Sequence, residues 1–440
     1  MRALKMSAVD CVPRIAVNAR KQFWNENLDK LKQISIDMHA LWRTCGSPRS
    51  GVINAARLRA KFDFKSAVKK AERDFDRTHY DELNELFINK DTNNFWKSWS
   101  AKFSKKSSST TMIDGNSNDQ KIADKFADHF CSLFVDSSND VNAVNNYKHI
   151  ASERSNETVL NSYSDVDLEL VESCISALKP CKAAGHDGIA PEHLLFSHPC
   201  LVTHLKLLFA LMFKHEYVPE AFGEGIIIPI VKDKNGDLKS SENYRPITLS
   251  SMISKVFELY LLEKFSNYLD TDSLQFGFKK KLGCRNALFA LRCVLQYYNQ
   301  RGSNVYIASL DATKAFDRVN HYTMFTILYR RGLPAVFVNL LINWYNKLSA
   351  QVRWNGLMSR VFCVKSGVRQ GGILSPSSFN VYVNSIVVTL RLNGLGCYIK
   401  KCYVGCLMYA DDLLLMSASV VQLQRMLDVC GRIGNDLGIV

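Results

Sequence analysis

The chain has 440 residues, 47% of them hydrophobic, and a formal net charge of +14 at pH 7. This length allows a substantial apolar core and two or three domains. The excess of Lys and Arg suits a phosphate-rich partner, although a basic membrane-surface or ribosomal protein would carry a similar charge. No run of eighteen apolar residues is present, and residues 1–20 lack the apolar core of a signal peptide. Thirteen cysteines without framework spacing suit a reducing compartment, so we expect an intracellular protein.

The first third of the chain has the period of charged helices. We predict helices from Arg20 to Phe103 with a break at residues 46–51, followed by a flexible joint at Ser104–Asp119. The stretch Phe62–Phe75, rich in Lys and Arg, fits either a nucleic-acid contact or a solvated helix face. Two later helices are predicted from apolar residues on one face, namely Ile122, Phe126, Phe130 and Phe134 in the first and Leu168, Val171, Ile175 and Leu178 in the second.

A hairpin is predicted around the loop that holds Asn235-Gly236-Asp237. Its arms are the apolar run Ile226–Val231 and the segment that begins at Tyr244. Lys232 and Arg245 would then place one cation on each arm. Such a pair suits a triphosphate, because it combines a point charge with a planar fork. A solvated surface position is the ordinary alternative for both side chains.

Two separate apolar runs end in carboxylates. Residues 305–310 lead into Asp311, and residues 404–408 lead into Tyr409-Ala410-Asp411-Asp412, after which the chain becomes apolar again. Strand, acidic turn, strand is the simplest interpretation of the second run. If the two strands are neighbours, Asp311 meets the acidic pair. Like charges about 4 Å apart repel by roughly 4 kcal/mol at an effective dielectric near 20, so this cluster predicts bound cations.

Magnesium is the expected cation at these strand ends. Hard divalent ions prefer oxygen ligands, and Mg²⁺ keeps open positions that phosphates can fill. Two such ions can activate an attacking hydroxyl and stabilise a leaving oxygen. We predict Asp311 and Asp411 as the metal ligands, with Asp412 in a supporting role. Asp317 lies six positions after Asp311, and we expect it to start the following helix rather than bind metal.

Between and after the acidic strands, the pattern predicts further helices. Gly332-Leu333-Pro334 separates two of them, at His321–Arg331 and Ala335–Leu348. Gln370-Gly371-Gly372 predicts a loop that feeds a helix, with Ser375 as its N-cap and Pro376 in its first turn. A last amphipathic helix is predicted at Val420–Leu437.

Three strings in this order resemble the reverse transcriptase of LINE-type, non-LTR retrotransposons. They are SLDATKAFD (309–317), GVRQGGILSPSSFNVYVN (367–384) and MYADD (408–412). Residues 226–249 resemble the fingers segment of that family and residues 178–194 its entry segment, while Gln275-Phe276-Gly277-Phe278 fits more loosely. The resemblance spans about 165–440. The N-terminal helices resemble the connector between an endonuclease and the polymerase.

The resemblance implies an α/β (α+β) fold, in which right-hand polymerase fingers and a palm with an antiparallel sheet follow a helical N-terminal region. We expect three parts: a helical connector at 1–103, a flexible joint and helix at 104–163, and the reverse transcriptase domain at 164–440. In the family a primer-gripping hairpin and a helical thumb follow the YADD motif. We therefore expect the domain to be truncated after this motif and the thumb to be missing.

The resemblance also implies the roles of nucleotide-binding residues. Phe316 would lie under the sugar of the incoming nucleotide, where its ring would clash with a 2′-hydroxyl and so select deoxynucleotides. Gln370 and Gly371 would contact the new base pair and the template. Tyr409 would belong to the same nucleotide site, with Lys232 and Arg245 at the triphosphate.

We therefore expect an RNA-directed DNA polymerase that adds deoxynucleotides (dNTPs) to a primer 3′-hydroxyl, with two Mg²⁺ ions. Its partners would be an RNA template and a DNA primer, with no membrane, in the nucleus and cytoplasm. The alternative from another class is a nucleic-acid-binding remnant of such an element, unable to extend a primer. Among polymerases, a bacterial intron-type reverse transcriptase is the nearest rival.

Overall fold

The structure is a computed structural model that describes residues 3–4, 6–7, 23–103, 112–134, 140–154, 165–312 and 314–439. The chain divides into two compact units, Val9–Ser109 and Thr110–Val440, the second including Met1–Ala8. In the described ranges, no helix is both long enough and apolar enough to span a bilayer.

The smaller unit is helical, with helices Glu26–Thr44, Val52–Ile88 and Thr92–Phe103. The predicted break at residues 46–51 is confirmed, because it separates the first two helices. This connection is held by Trp42, whose indole N–H donates to the Pro48 carbonyl over 2.9 Å. The Arg57 guanidinium lies 4.2 Å from the centroid of the same ring, a cation–π contact. Part of the predicted joint, residues 104–111, lies outside the described residues.

The larger unit mixes helices with short strands. Its helices are Asp119–Leu133, Val141–Arg154, Leu168–Ser176, Pro191–Leu195, Cys200–His215, Glu220–Gly223, Met252–Lys264, Cys284–Asn299, His321–Arg330, Ala335–Tyr345, Ser375–Leu392 and Val420–Asp436, with 3₁₀ turns at Ser241–Asn243 and Ser266–Tyr268. Its strands are β1 (Glu224–Val231), β2 (Tyr244–Ser250), β3 (Tyr306–Asp311), β4 (Ser349–Trp354), β5 (Leu357–Met358), β6 (Phe362–Cys363), β7 (Tyr398–Ile399), β8 (Cys402–Tyr403), β9 (Cys406–Tyr409) and β10 (Asp412–Ser417). The expected mixed α/β class is confirmed.

The first sheet has the order β2-β1-β4-β5, with β6 also paired to β4. β1 and β2 form the predicted antiparallel hairpin, while β1 and β4 are parallel. The helix Asp119–Leu133 covers this sheet, because its face of Ile122, Phe126 and Phe130 is fully buried against residues of β1, β2 and β4. The apolar residues predicted at every fourth position therefore form the helix face that packs on this sheet.

The second sheet has the order β3-β10-β9, and both pairings are antiparallel. The helices Ser375–Leu392 and Val420–Asp436 pack against each other and against this sheet. Leu413, Leu415 and Met416 of β10 are buried in the main core. A separate two-stranded hairpin pairs β7 with β8.

Several predicted boundaries need correction. The helix after Pro334 ends at Tyr345 rather than Leu348, because β4 begins at Ser349. Leu168 is 40% exposed, since it is the first residue of its helix, whose N-cap Asp167 accepts the Glu169 N–H. The predicted helix after Ser419 is confirmed at Val420–Asp436.

The helix that covers the first sheet yields a stability prediction. Phe126→Ala should lower the free energy of unfolding by about 3–5 kcal/mol, because the ring is fully buried and a cavity would remain. Calorimetric unfolding of the full chain measures this. Phe289→Ala is the matched control, since that ring is 68% exposed on the helix Cys284–Asn299 and its loss should change stability by about 0.5 kcal/mol or less. Equal effects of the two substitutions would contradict the packing described here.

Candidate active site

The acidic pair lies on a tight β-hairpin. Tyr409, the last residue of β9, pairs with Asp412, the first residue of β10, so Ala410 and Asp411 form a two-residue turn. Ala410 has a φ of +59°, a backbone conformation that hairpin turns of this length require and that usually favours glycine. The predicted order of strand, acidic turn and strand is confirmed.

Asp311 lies directly across from the hairpin. In the β3–β10 pairing, Asp311 is the register partner of Asp412, and Leu310 is the partner of Leu413. Directly opposed residues of an antiparallel pair project to the same face with Cβ atoms about 4.5–5.5 Å apart. The expected approach of Asp311 to the acidic pair is therefore confirmed, and the two strands place like charges side by side.

The grouping of carboxylates affects the pKa of Asp411. Its pKa is raised above the ordinary value, first by burial and then by the neighbouring carboxylates of Asp412 and Asp311, while Arg245 acts in the opposite direction. Asp311 and Asp411 line one cavity of about 240 Å³, whose other walls are mostly apolar and include Phe379. Asp411 is thus partly desolvated beside two other carboxylates, and the charge of Arg245 acts against theirs.

The donor set at this cavity is incomplete for a metal ion. Within the described residues, no three His, Cys, Asp or Glu side chains are close enough to hold an ion between them. Mg²⁺ is commonly bound by only one or two carboxylates, with water and substrate phosphates completing its octahedron. Asp311 and Asp411 therefore suit an ion that arrives with a phosphate ligand.

The loop that contains Gln370, Gly371 and Gly372 lies beside the first sheet. Gln370 accepts a hydrogen bond at its carbonyl from the Thr248 N–H of β2, over 2.7 Å. Gly371 has a φ of +110°, and an added Cβ would lie 2.7 Å from the Thr248 carbonyl oxygen. Only glycine allows this approach between the loop and β2.

Asp317 has a role that the sequence did not predict. The helix at His321 is capped by Asn320, which accepts from the N–H groups of Tyr322 and Thr323, so the expectation that Asp317 starts this helix is wrong. Asp317 is instead 4% exposed, and its Oδ1 accepts from the Gln370 side-chain amide over 2.8 Å. Burial raises the pKa of this carboxyl to about 6, against the opposing effect of the Gln370 bond.

The start of the Ser375–Leu392 helix is held from another element. The predicted Ser375 N-cap is wrong, because the helix begins at Ser375 and its N-cap, Leu374, makes no side-chain bond. The buried carboxylate of Glu258 accepts from the N–H groups of both Ile373 and Leu374. Arg369 braces the same loop by donating to the Phe222 carbonyl over 2.9 Å. Two tertiary contacts thus replace the local cap.

Three phenylalanine rings pack together, and one of them, Phe379, lines the cavity beside Asp311 and Asp411. The half-buried Phe316 ring lies 4.4 Å from the Phe379 ring at an interplanar angle of 14°. Phe278 contacts the Phe316 ring edge-on, with the two ring centroids 5.8 Å apart. Phe316 follows Asp311, the last residue of β3, by five residues, and its partner Phe379 lines the cavity that Asp311 also lines.

The two predicted cations differ in their relation to the acids. Arg245 is exposed on β2 and lies close enough to Asp411 to lower its pKa. Lys232 is exposed beyond the end of β1, where its N–H donates to the Asn243 carbonyl over 2.7 Å. Tyr409 is 38% exposed at the end of β9. The structure thus brings Arg245 toward the carboxylates, and Lys232 lies at the same end of the hairpin, two residues after Ile230, the register partner of Arg245.

The segment Gln275–Phe278 contributes to the site more than its loose resemblance suggested. Gln275 is 2% exposed, and its side chain bonds to the backbone of Ala410 in the acidic turn. The signal in the sequence was a glutamine between Leu274 and Phe276, because a glutamine buried among apolar residues needs hydrogen-bond partners for its amide.

The second half of the chain is similar to a known protein family. The profile of the family described as reverse transcriptase (RNA-dependent DNA polymerase) matches residues 232–440. Residues 232–440 form a reverse transcriptase domain. The predicted family is thereby confirmed, and all three strings that carried the resemblance lie within the match.

Relatives of the reverse transcriptase domain come from retrotransposable elements. The Pol polyprotein of the type-2 element R2DM of Drosophila melanogaster is 29% identical over 190 residues, 43% of this chain and 18% of that protein. The Pol polyprotein of the type-1 element R2 of Popillia japonica is 27% identical over 266 residues, 60% and 36%. The polymerase of the mobile element jockey of Drosophila funebris is 27% identical over 263 residues, 58% and 28%. The chain thus matches about a fifth to a third of the length of these relatives.

The buried carboxyl of the reverse transcriptase domain gives a pH prediction. The pKa of Asp317 is about 6 in the folded chain against an ordinary value of 3.8. The folded state therefore holds this proton more tightly, and stability falls as pH rises from about 4 to about 6, with the full loss present above pH 6. Two pH units correspond to about 3 kcal/mol.

Asp317→Asn removes this loss while keeping an acceptor for Gln370. The free energy of unfolding of the variant minus that of the wild type should be larger at pH 7.5 than at pH 4.5, by up to about 3 kcal/mol. Calorimetry at the two pH values measures the difference. Asp428→Asn, at an exposed helix position, controls for the loss of one charge. A difference for Asp317→Asn that does not change with pH would contradict the burial described here.

Proposed function

We propose that this chain is the RNA-directed DNA polymerase core of a non-LTR retrotransposon. The observation that carries the proposal is the meeting of Asp311 with the Asp411-Asp412 turn at adjoining strand ends of a reverse transcriptase domain. The reaction would join a primer 3′-hydroxyl to the α-phosphate of a deoxynucleotide, with loss of pyrophosphate. The substrates would be an RNA template, a DNA primer and dNTPs.

Asp311 and Asp411 are the proposed ligands of two Mg²⁺ ions, with Asp412 supporting them. Bound ions would supply charge neutralisation for the attacking and leaving oxygens. Burial and, after it, the charges of Asp412 and Asp311 raise the pKa of Asp411, and a bound cation would act against both causes, which supports this assignment. A third shared ligand is unnecessary where phosphate oxygens complete the coordination shell.

The nucleotide would lie between the two sheets. Arg245, which lowers the pKa of Asp411 from β2, would meet the triphosphate, with Lys232 further along the same hairpin. Gln370 and Gly371 would face the new base pair, since both belong to the loop bonded to β2. Phe316 and Tyr409 would bound the sugar and base.

The finer architecture is part of the same proposal. The β2-β1-β4-β5 sheet would serve as the fingers and the β3-β10-β9 sheet as the palm. The helical residues 1–103 would be the connector, 104–163 a joint and helix, and 164–440 the polymerase domain. The net charge of +14 suits RNA and DNA backbones, and the nucleus and cytoplasm would be its compartments.

Primer extension by the purified chain tests the assignment. Asp411→Ala should reduce Mg²⁺-dependent extension of a DNA primer on an RNA template by at least about 10³-fold, because one metal ligand is lost. RNA binding, measured by filter retention, should remain within about threefold, since phosphate contacts elsewhere dominate affinity.

Asp428→Ala is the matched control for that assay, since it removes an exposed aspartate from the helix Val420–Asp436. It should extend primers at the wild-type rate. Unchanged extension by Asp411→Ala would refute the metal-ligand assignment. A wild-type chain that binds RNA without extending any primer would instead support the binding-remnant alternative.

Sugar selection gives a second test. Phe316→Ala should raise the ribonucleotide-to-deoxynucleotide ratio of kcat/KM by about tenfold or more, because the ring that would clash with a 2′-hydroxyl is removed. Single-nucleotide incorporation kinetics with matched dNTP and rNTP pairs measure the ratio. Phe289→Ala, at an exposed helix position, should leave it unchanged. An unaltered ratio in Phe316→Ala would count against a sugar filter at this residue.

A further inference from the structure

The turn that carries Asp411 is strained where it meets the rest of the chain. Ala410 adopts a φ of +59° as the first residue of the two-residue turn. A non-glycine residue in this region costs roughly 1–2 kcal/mol, and it persists only where its surroundings fix it. The contacts of Ala410 therefore decide how firmly the following carboxylates are placed.

Those contacts come from one buried side chain. The Gln275 carboxamide donates to the Ala410 carbonyl over 3.3 Å and accepts the Ala410 N–H at its oxygen over 3.2 Å. The same oxygen accepts the Gly277 N–H over 2.8 Å. Both backbone groups of the strained residue are thus bonded to a single amide that is 2% exposed.

The main chain around Gln275 is itself fixed against the hairpin. Phe276 N–H donates to the Met408 carbonyl over 2.8 Å, and Met408 N–H donates to the Leu274 carbonyl over 2.9 Å. This short parallel bridge extends the open edge of β9. A Cβ on Gly277 would collide with the backbone nitrogen of Ala410, so the glycine permits the close approach.

We propose that Gln275 is a positioning residue for the reaction, which fixes the Ala410 backbone and through it the direction of the Asp411 carboxylate. This inference rests on the proposed polymerase function. Catalytic geometry is sensitive at this scale, since a misplacement of about 1 Å can reduce a rate by about 10²-fold. Gln275 itself touches no substrate atom.

Gln275→Met tests this, because it keeps the volume and removes all three hydrogen bonds. We expect kcat for primer extension to fall by about 10- to 100-fold while KM for dNTP changes by less than about threefold. Gln351→Met is the matched control, since Gln351 donates a similar bond from β4 to the Ser359 carbonyl over 3.0 Å. It should remove a glutamine side-chain hydrogen bond without lowering kcat.

A rescue separates positioning from a purely structural role. Glycine adopts positive φ without strain, so Ala410→Gly should restore about three- to tenfold of kcat in the Gln275→Met background. If Gln275→Met does not fold, Gln275→Asn replaces it, because its shorter amide cannot reach both groups of Ala410. A kcat equal to that of Gln351→Met, or an absent rescue, would overturn the proposal.

Hydrogen exchange gives a readout that does not need activity. The peptide containing Ala410 and Asp411 should exchange at least about tenfold faster in Gln275→Met than in the wild type or in Gln351→Met. A wild-type chain without extension but with this exchange difference would refute the polymerase function and leave the backbone restraint intact. Equal exchange in all three chains would overturn the restraint itself.

Discussion

The constraint on which the site depends is the register of β3 against β10. Asp311 opposes Asp412 in this pairing, and the repulsion between them would favour any other register. The apolar side of β10 prevents this, because Leu413 and Leu415 are buried in the core. A slip by one residue would turn both to the opposite face, at a cost of roughly 1.5–3 kcal/mol for each exposed side chain. Apolar burial therefore holds the carboxylates together against their charge.

Around these strands, the loops are held by buried polar side chains from distant segments. Glu258 binds two backbone N–H groups before the Ser375–Leu392 helix, Asp317 accepts from Gln370, and Gln275 binds both groups of Ala410. Loop backbone that leaves the regular sheet bonding must find other partners. Because each partner is buried, a displaced loop would leave a polar group unsatisfied, and the loops keep one position.

The sequence was sufficient for the strands and the hairpin, and insufficient for what fixes the loops. The apolar runs before Asp311 and before the turn at Asp411 predicted the two strands, and the apolar residue at every fourth position predicted the helix face that buries Phe126. Caps are local patterns that tertiary contacts can replace. Ser375 had the expected cap chemistry, yet Glu258, 117 positions earlier in the chain, occupies the neighbouring N–H groups. The periodicity of apolar residues cannot predict a hydrogen bond between two such distant positions.

Asp317 and Gln275 illustrate the same limit from the side of chemistry. An aspartate shortly before a helix usually caps it, but Asn320 lies closer to the first turn and takes that place. Gln275 lies in a segment without regular period, so its burial follows only from the later approach of the hairpin. Asp317 binds the Gln370 side chain and Gln275 binds the Ala410 backbone. Both partners are far away in the chain, so these bonds can be recognised only in the folded structure.

Charge finally links the acids to the rest of the chain. A net charge of +14 attracts phosphate backbones, whereas Asp311, Asp411 and Asp412 would repel a phosphate that reaches the strand ends. Arg245 acts against this charge, but it is a smaller influence on the pKa of Asp411 than burial and the two neighbouring carboxylates. A divalent cation between carboxylate and phosphate would convert the repulsion into two attractions. Binding of metal and of nucleotide at this site should therefore be coupled, and by linkage each should raise the affinity of the other by the same factor.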